Sequence, residues 1–354
     1  MKIKLAILEK DTVYLQRIVS AFNNKYADKL EVYSFTEEEI AVKAVKEAKI
    51  NVLLAGDEYD ITPDKLPGRC AFAYFVDTPD VQDINHCPAV CKFQKIDMIY
   101  KQIISLYSEV AADVITMTGT EEGQTRIISF LSPAGGVGSS TVAAACARAM
   151  VREGKHVLYL NLEKYGSAEN FFQGMGQGSL SDVLYAVKSQ KSNLALKLEG
   201  IIRQDESGVY FLPECNVVLD RLEMKKEELE VLLNQLKICE EFDVIILDAD
   251  FSFDAFEMEI MKQSSVIVMV SDGSENANCK VERVYKSLEL LEQRGESIVT
   301  NKMMLLYNQF HAQTAVPIQN IEIMELGGIQ TYKGAKEAQV ATEISKMSIF
   351  HKLL

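Results

Sequence analysis

The sequence predicts two α/β units in series, the second a larger, doubly wound domain built on a parallel sheet. Three observations predict it. Short apolar runs alternate with segments of helical period in both halves of the 354-residue chain. Those runs are unbroken rather than alternating, which suits strands covered on both faces. Between the halves, "AADVITMTGTEEGQT" loses all periodicity and gathers Thr, Gly and acidic residues, as a linker does.

The first unit, residues 1–109, opens with the strand candidate "IKLAIL" and the helical pattern "TVYLQRIVSAFNNKY". "LEVYSF" reads as the next strand. "TEEEIAVKAVKEA" reads as a helix capped by Thr36, with Glu39 three residues on. "NVLLAG" and "CAFAYFVD" are buried-strand candidates, and "IDMIYKQIISLYSEV" is a closing helix. After the linker at 110–124, the second unit spans 125–354. Its strand candidates are "RIISFLS", "HVLYLNL", "FDVIILD", "SVIVMVS" and "KMMLLYN". The final "EISKMSIFHKLL" places Ile344, Met347, Phe350 and Leu354 at helical spacing, a stripe that reads as core packing rather than a membrane-binding tail.

Composition narrows the function. Net charge is −14 at pH 7, and no run of basic residues stands out, which argues against broad nucleic-acid binding. No apolar run approaches the ~18 residues that span a bilayer. "MKIKLAILEKD" is interrupted by charge too early for a signal peptide. Seven cysteines without a regular framework point to a reducing cytoplasm. The one cluster, His86, Cys87 and Cys91 in "HCPAVC", lacks further ligands at metal-site spacing and reads as buried thiols beside a surface histidine.

Chemistry concentrates in "SPAGGVGSSTVAAA", residues 132–145, between a strand and a helix. Glycines at 135, 136 and 138 let successive backbone N–H groups converge on one anion, and the following helix adds its positive dipole end. The cradle runs through Ala134, Gly135, Gly136, Val137, Gly138, Ser139, Ser140 and Thr141. Ser140 stands where a hydroxyl meets Mg2+ in a phosphate loop.

The stretch resembles the deviant phosphate loop of the MinD/ParA superfamily, xKGGxGK[ST]T. There a first lysine reaches across a nucleotide-sandwich dimer, and a second binds the β and γ phosphates. Here Ala134 and Ser139 occupy the two lysine positions. The resemblance implies ATP with Mg2+ as cofactors, bound by backbone but hydrolysed poorly, since the lost charges are those that stabilise a transferring phosphoryl group. Residue by residue, "VLYLNLEKYG" is similar to the D-x-D segment, with Asn161 and Glu163 in the acidic places, and Glu163 as the candidate that orients water. "FDVIILDAD" is similar to the Walker B strand, giving Asp248 as the second metal residue. Ser252 replaces the glycine expected four residues on, and Asn308 falls where the superfamily places an adenine-reading asparagine.

In the first unit, Glu9 and Asp11 after the first strand and Lys92 before the last helix resemble a receiver domain, flavodoxin-like in fold. Its phospho-accepting aspartate is absent, however. That place falls on Ala55 or Gly56, while Asp57 is one step late and points to the other face. A degenerate receiver followed by a lysine-poor MinD-like domain resembles the CpaE/TadZ family over nearly the whole chain. "GSLSDVLYAV", "GVYFLPEC" and "GGIQTYKGAKEAQVATEISKMSIFHKLL" carry that resemblance further. It implies a dimeric switch or scaffold that helps place Tad/Flp-type pilus assembly machinery at the cell pole or the cytoplasmic face of the inner membrane. Partners would be a second copy and pilus proteins, not nucleic acid, with membrane association only through partners. The alternatives are an active surface-cycling ATPase, a phosphorylation-controlled regulator and, more distantly, a DNA-partitioning protein.

Overall fold

The computed structural model describes all residues except 1, 62–65, 68–69, 82, 111–124, 190–193, 240–241, 296–298, 312–314 and 354. From residue 111, the expected linker lies outside the described residues. The chain divides into two compact units. The first comprises Met1–Thr118 with Ser189–Ile201, and the second Gly119–Lys188 with Ile202–Leu354.

In the first unit, strands β1 (Ile3–Leu8), β2 (Leu30–Phe35), β3 (Val52–Gly56), β4 (Ala71–Val76), β5 (Asp83–Ile84) and β6 (Cys87–Cys91) form one sheet in the order β2-β1-β3-β4-β6-β5. All pairs are parallel except β5–β6. Helices α1 (Thr12–Lys25) and α2 (Glu38–Glu47) connect β1 to β2 and β2 to β3, and α3 (Ile96–Val110) follows β6. The fully buried β3 and β4 explain why their sequences carry no alternation.

The expectation for Thr36 changes here, and that for "HCPAVC" holds. Helix α2 starts at Glu38 behind Glu37, so Thr36 does not cap it; the Thr36 carbonyl instead accepts the Tyr59 hydroxyl at 2.8 Å. The "HCPAVC" stretch is half of a hairpin. Asn85 and His86 both take positive φ, 52° and 63°, the conformation a tight two-residue hairpin turn requires. His86 is exposed, while Cys87 and Cys91 are buried. Finally, helix α6 (Leu194–Ile201), far along the chain, groups with this unit. Leu196 joins its core, and the Glu199 carboxylate accepts from Lys29 at 2.5 Å and from the Tyr100 hydroxyl at 2.9 Å.

The second unit carries an eight-stranded sheet of order β14-β13-β12-β7-β11-β8-β10-β9. Its strands are β7 (Arg126–Leu131), β8 (Val157–Asn161), β9 (Arg203–Gln204), β10 (Tyr210–Phe211), β11 (Val244–Asp248), β12 (Val266–Ser271), β13 (Met303–Phe310) and β14 (Met324–Gln330). Among the described residues only the short β9–β10 pair is antiparallel. The β9–β10 hairpin and the edge strand β14 were not among the expected strands. Two-residue strands carry too little pattern to read, and the two glycines of β14 mask its strand character.

Helix α4 (Ser139–Arg152) is the central support. Its run Val142–Ala147 is buried throughout. Alanine is the strongest helix former and its small side chain lets the helix lie close to the sheet. Helix α11 (Glu337–Ile344) and the turn Ser348–Leu353 cover it, with Ile344, Phe350 and Leu353 in the same core. The C-terminal apolar stripe therefore packs inward, apart from Leu354, which lies outside the described residues. Among the described residues no helix is long and apolar enough to cross a membrane.

Candidate functional site

The glycine loop and the three residues on which the site turns sit at or near the carboxyl ends of parallel strands of this sheet, where open α/β sheets place their ligand crevices. β7 leads into the glycine loop, β8 ends at Asn161, β11 ends at Asp248, and Asn308 stands near the end of β13. Asp248 is paired in register with Asn161.

Hydrogen bonds hold the loop itself open. Ser132 Oγ donates to the Val270 carbonyl at 2.7 Å and accepts the Ala134 N–H at 3.1 Å, tying the loop entrance to β12. Ala134 and Val137 turn inward and are buried. Gly136 and Gly138 take φ of 78° and 76°, a region closed to most L-residues. Around Gly135 and Gly136 the space a side chain would occupy is empty, so the backbone can approach a ligand. At Gly138 a Cβ would meet Asn308 Nδ2. That amide donates to the Val137 carbonyl at 2.8 Å and, more weakly, to Gly138 at 3.4 Å. Asn308 thus braces the loop through its amide nitrogen. Gln309, next to it with φ of 55°, reaches the Gly136 carbonyl at the limit of hydrogen bonding, 3.5 Å.

Beneath the loop lies a buried acid. Asp248 is fully buried, and its Oδ2 accepts the Tyr159 hydroxyl at 2.6 Å and Asn161 Nδ2 at 3.0 Å. Burial, then the nearby Glu163 charge, push its pKa up to about 8, against the Tyr159 and Ser140 hydroxyls that hold it down. Its other oxygen, Oδ1, has no partner, and neither has the buried Ser139 hydroxyl. Orphaned buried polar atoms are rare and need a reason. A hydroxyl and a carboxylate, Ser140 and Asp248, are the hard-oxygen donors that suit Mg2+, so the residues present fit that ion. Asn161 also ties in Glu163: its Nδ2 donates to Glu163 Oε2 at 3.1 Å, and its Oδ1 accepts the Glu163 N–H at 3.1 Å.

These groups open on a cavity of about 550 Å3. Ala134 through Thr141, Glu163 and Asn308 all line it, so most of the residues singled out in the sequence converge; Asp248, fully buried, does not line it. Ser252 is engaged locally, accepting the Asp254 N–H at 3.1 Å in the turn before helix α9 (Ala255–Gln263). Tyr159, Gly166 and Arg221 escaped the sequence reading. Tyr159 stands two residues before Asn161 and so shares its face of the strand, a signal that an apolar-strand reading passes over. A Cβ at Gly166 would collide with Asn161 and Glu163. Arg221 is buried behind the site; its Nε donates to the Leu162 carbonyl at 2.8 Å and its guanidinium lies 3.9 Å over the Phe256 ring.

The receiver-like constellation of the first unit is partly present. Lys92 Nζ pairs with buried Glu9 at 2.8 Å and with Asp77 at 3.1 Å. Burial pulls the lysine pKa down, but the two carboxylates outweigh it and hold it raised. Asp11 caps α1 by accepting the Val13 and Tyr14 N–H groups. Leu8 pairs with Ala55, which sets Gly56 at the strand end beside Glu9. The Glu58 carboxylate fills the space a Gly56 side chain would need, and Asp57 is exposed.

A strand–glycine loop–helix unit, a buried acid on the adjacent strand and a crevice above both define a P-loop nucleotide-binding class of protein. The chain belongs to the AAA domain family, whose model matches residues 125–303, and residues 1–108 match the model of the TadZ-like receiver domain. It therefore joins a TadZ-like receiver to an AAA-family domain. Among solved structures, it is similar to a ParA family ATPase from Chlorobium tepidum TLS, with 17% identity, 65% of this chain and 96% of that one covered, and a TM-score of 0.51. It is also similar to the cell division ATPase MinD of Pyrococcus furiosus, with 20% identity, coverage of 65% and 100%, and a TM-score of 0.48. The septum site-determining protein MinD complexed with Mg-ADP from Pyrococcus horikoshii OT3 gives 19% identity, coverage of 63% and 95%, and a TM-score of 0.47. No curated protein matches the chain.

Proposed function

We propose that the second unit binds ATP with Mg2+ and works as a dimeric positioning switch or scaffold with weak or absent hydrolysis. The observation that carries this reading is an intact backbone cradle with both loop lysine positions filled by Ala134 and Ser139. Anion binding at a helix start uses N–H groups and the helix dipole, which these replacements leave untouched. Phosphoryl transfer needs positive charge that gains value at the transition state, and such groups are worth on the order of 10²-fold or more in rate. Ser140 and Asp248 would hold the ion, Asn308 Oδ1 would accept from the adenine amino group, and Glu163, tethered by Asn161, would orient water for any residual turnover.

The first unit serves contact rather than phosphotransfer, because its acceptor position lacks a carboxylate and Lys92 is already paired. Through its TadZ-like receiver, the protein takes its place at a pole or at the cytoplasmic face of the inner membrane, where it localises Tad/Flp-type pilus assembly machinery. Calorimetry with Mg-ATP, phosphate-release assays and oligomeric state measured together test the core of this reading. Binding, dimer formation and near-background phosphate release are expected. Turnover at ordinary ATPase rates would favour a surface-cycling enzyme, and no binding at millimolar nucleotide would end the reading. Polar foci of a fluorescent fusion test the placement, and an even cytoplasmic distribution overturns it.

A further inference from the structure

The pocket over the loop is poor in positive charge. Among the described residues lining it there is no lysine, arginine or histidine, whereas Glu163, Asp250 and Glu337 all contribute carboxylates. Lys164, Lys333 and Lys336 lie beside lining residues in the chain without lining the cavity themselves. Lys164 contributes its backbone, whose N–H donates to Asp250 Oδ2 at 2.7 Å. The loop N–H groups and the start of α4 offer only a fraction of one positive charge, roughly half a unit for a helix end. Polyphosphate carries several negative charges, and at a partly shielded site each unit-charge contact is worth a large factor in affinity. A bare nucleotide would therefore meet net repulsion here.

Two buried atoms point the other way. Asp248 Oδ1 and Ser139 Oγ have no hydrogen-bond partner, and Asp248 lies beneath the loop against Ser140. A carboxylate oxygen left without a partner in a fully buried position is satisfied by a cation or by a proton. We infer that this pocket recognises a nucleotide only as its divalent-metal complex, with the ion replacing the charge that the loop itself lacks. The inference rests on the nucleotide-binding reading above and deepens it. It sets the ligand class as a metal–nucleotide complex and assigns to Ser139 the loss of metal-free binding.

The test is calorimetric titration of the full chain with ATP in MgCl2 and, separately, with ATP in EDTA. Kd in EDTA should exceed that in MgCl2 on the order of 10²-fold or more, the scale of an uncompensated charge contact. Ser139→Lys should raise the metal-free affinity and shrink that ratio at least about tenfold. Glu337→Gln, at the exposed start of α11, should raise metal-free affinity several-fold and carries the test if the lysine variant does not fold. The double variant Lys333→Ala/Lys336→Ala should leave the ratio unchanged. Equal binding with and without metal overturns the inference while leaving the nucleotide reading standing. A ratio that ignores both Ser139→Lys and Glu337→Gln, or that follows the two surface lysines, overturns it as well. Absence of binding in MgCl2 overturns the reading and the inference together.

Discussion

The Tyr159 hydroxyl and the Asp248 carboxylate meet across adjacent strands β8 and β11, with the hydroxyl donating to Oδ2 at 2.6 Å in a fully buried setting. Neither group has a solvent alternative, so each depends on the other. The acid would otherwise lose most of its hydration, and the hydroxyl would be an orphaned donor. Tyr159 is a positioning residue that aims Asp248 at the space beneath the loop.

Tyr159→Phe should destabilise the nucleotide-free protein by about 1–3 kcal/mol, the range for a hydrogen bond to a charged or buried polar group. It should also weaken Mg2+-dependent nucleotide binding, because the carboxylate loses a donor that favours its ionised form. Urea unfolding and calorimetry read the two effects. An unchanged unfolding midpoint would show that the bond contributes nothing.

Gly138→Val should abolish the rise in melting temperature that Mg-ATP produces. A side chain there takes a φ of 76° and strikes the Asn308 amide that braces the loop. Gly154→Ala is the matched control. It shares the left-handed backbone, φ 80°, but a Cβ there meets nothing within 4 Å. The control should cost about 1–2 kcal/mol of stability and leave the nucleotide-induced shift intact. Equal loss of the shift in both variants would separate loop geometry from binding.

Arg221→Ala should be among the more damaging single substitutions, costing about 3–5 kcal/mol. It removes the bond to Leu162 and the stacking on Phe256, and it leaves buried Glu257, 3.9 Å away, without its cation. Adding Glu257→Gln should recover part of the loss, since a neutral amide is cheaper to bury unpaired than a carboxylate. Additive losses in the double variant would mean that the two residues do not interact.

A fragment beginning at residue 125 should be less stable and less soluble than the full chain. It keeps α6 but loses what α6 packs with: the core joined by Leu196, and the Lys29 and Tyr100 partners of Glu199. Replacing 189–201 in that fragment with a short polar linker should restore solubility. A fragment as well behaved as the whole protein would show α6 to be dispensable to both.

Much of this was legible in the sequence because it is local. Unbroken runs such as "VIILD" and "SVIVMVS" suit strands covered on both faces, and the glycine spacing between strand and helix suits a backbone cradle better than an ordinary turn. The absent lysines at 134 and 139 and the absent acceptor at 55 or 56 are likewise properties of single positions. Only the tertiary structure decided which distant residues meet. The grouping of α6 with the first unit, the Asn308 amide bracing the loop 170 residues away and the Tyr159–Asp248 bond all depend on strand order and register. Periodicity reports which face of an element is apolar, but it is silent about which element that face will meet. The same holds for charge: a net −14 can be read from composition, whereas a phosphate-loop pocket whose described lining holds carboxylates and no cation becomes visible only once the chain has folded.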